Sequence, residues 1–191
     1  MKLRNFAIAA AAVAGSLFAA QSLAQPYVGA SFGQSDIDES VAAGLITSGT
    51  VDGEDTGFKI FGGYQLNRNF ALEAAYVDLG EASYSGSFFG APVTGGKVEI
   101  SGINLSAVGI LPLAEKFSLF GKLGMFLWDS EASDVTGGVP FNDKADGTDL
   151  SFGVGAGYEL GRNLLLRAEW ERFDASDSDV DLLSIGVAFR F

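Results

Sequence analysis

The chain has 191 residues, of which 24 are acidic and 12 basic, and it contains neither histidine nor cysteine. The formal net charge of −12 excludes a nucleic-acid-binding protein, which requires a basic surface. The absence of cysteine excludes a disulfide scaffold and a lipid anchor attached through cysteine.

The first 24 residues have the pattern of a secretory signal peptide. Lys2 and Arg4 form a positive start, residues 6–20 are apolar and alanine-rich, and Ser22 and Ala24 place small side chains at the −3 and −1 positions. We expect residues 1–24 to be removed by cleavage after Ala24. Residues 25–191 then form a single domain in which no segment is suited to a transmembrane helix.

The remainder of the chain contains eight segments in which apolar side chains alternate with small or polar ones. Period-2 alternation is typical of β-strands with one apolar face. The last segment is the most regular, with an apolar residue at every odd position from Leu183 to Phe191. In chain order, the eight segments are 27–34, 57–66, 70–79, 97–111, 117–129, 149–160, 164–173 and 183–191.

The fourth segment changes phase along its length. Val98 and Ile100 share one parity, whereas Ile103 and Leu105 share the other. If all four side chains face outward, a β-bulge has to shift the alternation by one residue. We therefore predict a bulge near Ser101 and Gly102.

The connections between these segments alternate in length. Those at 66–69, 112–116 and 160–163 are short, whereas those at 35–56, 80–96, 130–148 and 174–180 are longer and rich in Gly, Ser and Asp. This asymmetry is typical of outer-membrane barrels, which have short periplasmic turns and longer extracellular loops. The sequence predicts an all-β fold, an eight-stranded antiparallel up-and-down transmembrane β-barrel with four acidic extracellular loops. A soluble periplasmic barrel of the lipocalin type is an alternative.

Several short sequence motifs are similar to those of a known protein family. With FGGYQLN at 61–67, LEAAY at 72–76, LRAEW at 166–170 and the terminal strand, the chain resembles the transmembrane domain of the outer membrane protein A family. The resemblance implies a lumenal gate formed by Glu73 and Lys122. The family's second lumenal pair falls on Val108 and Gly157 and is missing. No peptidoglycan-binding domain is expected.

The alternation predicts which charged side chains face the barrel interior. Because charges buried in so narrow a lumen need partners, a structural ion-pair network is one interpretation. A narrow ion path gated by Glu73 and Lys122 is the other. The lumenal candidates are Lys59, Glu73, Lys122, Arg167, Glu169, Glu171 and Arg190.

Catalysis is not expected. Without histidine or cysteine, the abundant serines have no usual partner base, and no alternative catalytic grouping is apparent. The acidic tracts do not match a calcium-binding loop. We therefore expect no enzyme activity, no cofactor and no metal.

Aromatic residues supply the remaining candidates. We expect Phe189 and Phe191 to be the signal recognised by the barrel-assembly machinery. Phe88, Phe89 and Phe141 are candidate contact residues at loop tips. Near the strand ends, an outward-facing aromatic girdle is predicted from Tyr64, Tyr76, Trp128, Tyr158, Trp170 and Phe173.

The sequence therefore predicts a protein of the outer membrane of a Gram-negative bacterium. The expected partners are outer-membrane lipid, lipopolysaccharide, the barrel-assembly machinery and a host or surface protein at the loops, with no nucleic acid and a monomeric state. The predicted function is a structural or surface-interaction role of the adhesin type. The alternative is a narrow gated pore through the lumen.

Overall fold

A computed structural model describes residues 25–37, 48–52, 54–88, 91–136, 139–175 and 178–191, all of them in β-strands or short turns. Within these ranges, no helix is long and apolar enough to cross a bilayer. The signal peptide predicted at residues 1–24 lies outside the described residues. The strands are β1 (Gln25–Ile37), β2 (Ser48–Asp52), β3 (Glu54–Gln65), β4 (Phe70–Phe88), β5 (Ala91–Pro112), β6 (Phe117–Thr136), β7 (Val139–Glu159), β8 (Leu164–Ala175) and β9 (Ser178–Arg190).

The strands close into an eight-stranded antiparallel barrel. They follow the order β2-β4-β3-β1-β9-β8-β7-β6-β5, and β5 pairs back onto β4 to complete the circle. The short β2 and the longer β3 both pair with β4, on successive parts of its length, so together they occupy one position in the wall. Closure leaves no sheet edge within the barrel itself, which confirms the predicted fold class.

Side chains alternate between the outer surface and the lumen along the strands wherever the structure describes them. On β9, Leu183, Ile185, Val187 and Phe189 are 45–64% exposed on the outer face, whereas Leu182 is fully buried. The same parity places Phe58 and Ile60 outside and Lys59 inside. The outer surface is therefore an apolar band, as a bilayer-embedded barrel requires.

The three predicted short turns are confirmed, and they share one geometry. The amide of Leu66 donates to the carbonyl of Phe70, that of Leu113 to Phe117 and that of Leu160 to Leu164, each at 2.9 Å. We call the end of the barrel that carries these turns the turn side, and the opposite end the loop side.

The loop side contains less loop than the sequence predicted. Strands β4 and β5 remain paired as far as Phe88 and Ala91, and β6 and β7 as far as Thr136 and Val139. Segments 80–96 and 130–148 are therefore mostly long hairpins. Their Gly, Ser and Asp content is typical of loops, but a neighbouring strand satisfies backbone hydrogen bonds whatever the side chains are.

The predicted bulge near Ser101 and Gly102 is wrong. Strand β5 keeps its register with β6 from Lys97 to Pro112. Val98 and Ile100 face the lumen, where they are 4% and 3% exposed. The change of parity reflects apolar filling of the lumen on the loop side and not a shift of the strand.

A bulge does occur in the neighbouring strand β4. Between the pairs Asp78–Ser101 and Glu81–Glu99, two residues of β4 face one residue of β5. Gly80 in this bulge has φ 78°, a conformation that favours glycine.

The aromatic girdle is confirmed only in part. Tyr76 and Tyr158 are 37% and 46% exposed on the outer face, and Tyr64 and Trp170 are half-buried there. Trp128 and Phe173, however, point into the lumen and are 6% and 0% exposed. Both share parity with the lumenal charges on their strands, so assigning them to the girdle was wrong.

Candidate functional site

Six charged side chains meet in the middle of the lumen, and we call them the charged layer. The strands between the contributing ones present small residues to the lumen, which makes room for the longer side chains. A Cβ atom at Gly153 of β7, for example, would lie 2.6 Å from Cγ of Glu171. The charged layer consists of Lys59 on β3, Glu73 on β4, Lys122 on β6, and Arg167, Glu169 and Glu171 on β8.

Lys122 lies at the centre of the charged layer. Its ammonium donates to Glu73 Oε1 at 2.6 Å, to Glu169 Oε2 at 2.7 Å and to Glu171 Oε1 at 3.1 Å. An ammonium has three donors, and here each has a carboxylate acceptor. The contact between Glu73 and Lys122, implied by the family resemblance, is therefore present.

The other two cations complete the network. Lys59 Nζ donates to Glu169 Oε2 at 3.0 Å and also to Glu171. Arg167 Nη1 donates to Glu73 Oε2 at 2.7 Å, and its Nε lies 2.9 Å from Glu169 Oε1 without hydrogen-bond geometry. Three cations thus balance three carboxylates, and every member is at most 7% exposed. Neutrality and dense pairing offset the desolvation of the individual charges.

Three aromatic residues that the sequence analysis missed support this network. The guanidinium carbon of Arg167 lies 4.5 Å from the ring centroid of Phe61 and 4.7 Å from that of Phe120. Both contacts are within cation–π range. Tyr27 donates its hydroxyl to Glu73 Oε2 at 2.9 Å. The inward parity of these residues was a usable signal, but their contacts join strands distant in sequence.

Apolar residues cover the charged layer on both sides. On β6, Phe120 lies on its turn side and Phe126 on its loop side, and on β4 Ala71 and Val77 flank Glu73 in the same way. The turn-side apolar layer consists of Phe61, Ala71, Val108, Phe120 and Ala188. The loop-side apolar layer consists of Val77, Leu79, Ile100, Phe126, Phe173, Val180 and Leu182.

The packing of these layers restricts passage through the lumen. Phe126 and Phe173 are fully buried, with ring centroids 4.9 Å apart. On the turn side, the gap among Tyr27, Phe120, Arg167 and Arg190 is about 40 Å³, room for a few water molecules. The arrangement is suited to holding the barrel wall together from inside.

Arg190 is the predicted lumenal residue that does not join the charged layer. It lies at the turn-side mouth, where its guanidinium donates to Glu159 at 2.7 Å. Val108 and Gly157, the positions of the family's second lumenal pair, contribute apolar surface and space. Among the described residues, no group of acidic side chains is arranged to hold a metal ion.

The remaining candidate residues lie at the two ends of the barrel. Phe189 and Phe191 are 46% and 65% exposed on the outer face, with ring centroids 5.3 Å apart. Phe88 ends β4 and pairs with Ala91 at the tip of the β4–β5 hairpin, whereas Phe141 lies within β7, paired with Asp134. Phe89 and the side chains of Phe88 and Phe141 lie outside the described part of the chain.

Closure of the strands, the apolar outer band and the filled polar interior define a transmembrane β-barrel. The chain belongs to the family described as the outer membrane protein beta-barrel domain, whose family model matches residues 6–191. Outer membrane protein A of Salmonella typhi is 29% identical, and that of Shigella flexneri 28%, over an alignment that covers 100% of this chain. The protein is located in the outer membrane of a Gram-negative bacterium.

The chain spans about half of those relatives, since the alignments cover 56% of each. Among solved structures, the fold is similar to that of Ail from Yersinia pestis in complex with the heparin analogue sucrose octasulfate. The TM-score is 0.59 at 16% identity, and the alignment covers 89% of this chain and 100% of that one. Neisserial surface protein A is similar with a TM-score of 0.57 and 18% identity, with the same coverage. These similarities establish the fold.

Proposed function

We propose that this protein is a surface-interaction protein of the adhesin type, in which the barrel is a rigid support for the loop-side hairpins. The observation that carries the proposal is the free edge of β7. This strand pairs with β6 from Val139 to Tyr158, but with β8 only from Ser151 to Glu159. Residues 139–148 therefore have no paired strand on one side in the described part of the chain, and an extended segment of a partner protein can pair there.

The charge near this edge favours a basic or neutral partner. Lys144 is paired with Glu131, Lys97 with Glu81, and Arg172 with Asp181. These pairs engage every loop-side cation whose side chain is described, whereas carboxylates such as Asp143 and Asp146 are exposed. A polysulfated ligand of the kind present in the Ail structure has no unpaired cation to bind here.

The other parts of the proposal concern assembly and surroundings. We infer a non-enzymatic monomer that is exported by a signal peptide at residues 1–24, folds as one domain over residues 25–191, and is surrounded by lipid and lipopolysaccharide. Phe189 and Phe191 are exposed on the outer face, where the barrel-assembly machinery can reach them. The absence of histidine and cysteine from the sequence supports a non-enzymatic role.

A gated pore is the second candidate function. The contact between Lys122 and Glu73 at 2.6 Å favours it, because an ion pair that changes partners can open a lumen. The apolar layers on both sides of the pair oppose it, because an ion would have to lose most of its hydration to pass between their packed side chains. For this reason we rank surface interaction first.

The test compares two equally shortened hairpins. One variant lacks the opposed pairs Glu131–Lys144 and Ala132–Asp143, which shortens the free edge without changing the alternation. The control lacks the opposed pairs Glu81–Glu99 and Ala82–Val98, in a hairpin that has neighbours on both sides. Refolding of each variant is checked by electrophoretic mobility without heating.

The measurement is the affinity of the refolded proteins for extended peptides with lysine at alternate positions, by fluorescence anisotropy. We expect the wild type and the β4–β5 control to bind, and the β6–β7 variant to lose roughly tenfold in affinity, about 1.4 kcal/mol. Equal affinity of all three proteins, or no binding by the wild type, would contradict the proposal. Adhesion and envelope integrity of a deletion strain, measured side by side, then test the role in cells.

A further inference from the structure

We propose that the turn side of the barrel is a binding surface for anionic phospholipid headgroups of the inner leaflet of the outer membrane. Each of the three turns carries one exposed cation, Arg68, Lys116 or Arg162. None of these three forms an ion pair with any residue that the structure describes. Unpaired cations at a bilayer surface attract anionic headgroups.

The charge at this end is opposite in sign to that of the loop side. Arg190 is the fourth turn-side cation and pairs with Glu159 at 2.7 Å. The only other carboxylate side chain described on the turn side is that of Glu115, which is exposed next to Lys116. Side-chain cations therefore outnumber carboxylates at the turn side, whereas carboxylates predominate at the loop side. The turn side is therefore the end of the barrel whose excess of cations suits an anionic partner.

Exposed apolar side chains accompany the cations. Leu66, Leu113 and Leu160 are 45%, 54% and 51% exposed and lie two, three and two residues from the cation of the same turn. A leucine that enters the edge of the hydrocarbon places its neighbouring cation at the depth of the phosphates. Each turn thus contains an apolar side chain for the hydrocarbon and a cation for the lipid phosphates.

Hydrogen bonds tie the turns to neighbouring strand ends and hold the backbone that carries these cations. Asn69 Nδ2 donates to the carbonyl of Ile110, and Asn163 Nδ2 to that of Arg190, so two turns are also held by side chains. Four backbone hydrogen bonds add to these. The amide of Ile110 donates to the carbonyl of Asn69 at 2.7 Å, and that of Glu159 to Lys116 at 2.8 Å. The amide of Arg190 donates to Asn163 at 2.8 Å, and that of Phe191 to Pro26 at 3.1 Å. A turn backbone that is ordered before binding loses little entropy when a headgroup binds.

The distribution of the cations around the rim indicates what kind of partner binds. Arg68 lies between β3 and β4, Lys116 between β5 and β6, and Arg162 between β7 and β8. They are therefore spread around the circumference and do not form one patch. A docked protein contacts one side of a rim, whereas the inner leaflet surrounds all of it, so this arrangement fits lipid headgroups.

The test measures lipid selectivity at the surface of the refolded protein. Spin-labelled phosphatidylglycerol and phosphatidylcholine are compared in bilayers of phosphatidylcholine, and the immobilised fraction of each label is recorded. We expect the wild type to prefer phosphatidylglycerol about fivefold at its turn-side sites, and added salt to reduce this preference. The triple variant Arg68→Gln, Lys116→Gln, Arg162→Gln should bind both lipids equally.

The matched control removes cations from the other end. The variant Lys97→Gln, Lys144→Gln loses two loop-side cations and should keep the wild-type selectivity. The three single turn-side variants, each losing part of the selectivity, provide the same test if the triple variant does not fold. Wild-type selectivity in the triple variant, or an equal loss in the loop-side control, would overturn the proposal.

Discussion

Glu169 is the residue on which the charged layer depends most, because its carboxylate lies within 3.0 Å of a nitrogen of Lys59, Lys122 and Arg167 alike. We predict that Glu169→Gln leaves one buried positive charge uncompensated and lowers the free energy of unfolding by about 3–5 kcal/mol. Urea unfolding of the refolded protein in lipid vesicles measures this change.

The control is Glu131→Gln. Glu131 also pairs with a lysine, Lys144, but the two side chains are 62% and 69% exposed. Water and salt already screen this pair, so its loss should cost less than about 1 kcal/mol. Equal destabilisation by the two substitutions would show that burial of the charged layer does not determine its strength.

Sequence reasoning identified the members of the charged layer but not its arrangement. Parity alone placed Lys59, Glu73 and Lys122 in the lumen, because alternation on a strand decides which face a side chain takes. It also placed Arg190 there, but Arg190 lies four residues closer to the turn side than Gly186, the residue opposite Arg167, and pairs with Glu159 instead of the network. The contacts of Arg167 with the rings of Phe61 and Phe120 depend on the width of the lumen. The alternation of residues along a strand gives no information about that width.

At the scale of the strand, Gly80 determines how β4 bends on the loop side. Its φ of 78° is unfavourable for other residues, and a Cβ atom would lie 2.6 Å from Oδ2 of Asp55. The same carboxylate oxygen accepts a hydrogen bond from the amide of Glu81 at 2.7 Å. We predict that Gly80→Ala destabilises the barrel by about 1–2 kcal/mol, measured by urea unfolding.

Gly109→Ala is the matched control for this prediction. At that position, the nearest atom to an added Cβ is the carbonyl oxygen of Gly121 at 4.0 Å, and φ is not positive. We expect a change within about 0.5 kcal/mol. If Gly80→Ala has no larger effect, the bulge does not depend on glycine.

Strand prediction succeeded where one face meets lipid and failed where neither does. All eight membrane segments were found, because lipid selects apolar residues at every second position. Beyond the bilayer, that selection ends, and the paired strands around Ser83 and Ala145 have the composition of loops. Val98 and Ile100 misplaced the bulge because their apolar side chains fill the lumen, where the pattern predicts polar residues.

At the scale of the whole molecule, the barrel is layered along its axis. A neutral charged layer lies between a turn-side apolar layer and a loop-side apolar layer. Ion pairs hold the wall together from inside, while the apolar layers keep competing water away from them. The same layering makes the lumen a poor conductor of ions. Breaking the contact of Glu73 with Lys122 opens only the charged layer and leaves the two apolar layers closed.

We therefore predict that the refolded protein produces no stepwise conductance in planar lipid bilayers, and that Glu73→Ala is equally silent. Both apolar layers remain as barriers in that variant, because Phe126 and Phe173 are fully buried against each other on the loop side and Phe61 and Phe120 are buried on the turn side. The combination of Glu73→Ala with Phe126→Ala and Phe173→Ala on the loop side, and with Phe61→Ala and Phe120→Ala on the turn side, should admit water and give measurable current. Conductance steps from the wild type, altered by Glu73→Ala alone, would establish the pore and place the gate at the Glu73–Lys122 contact.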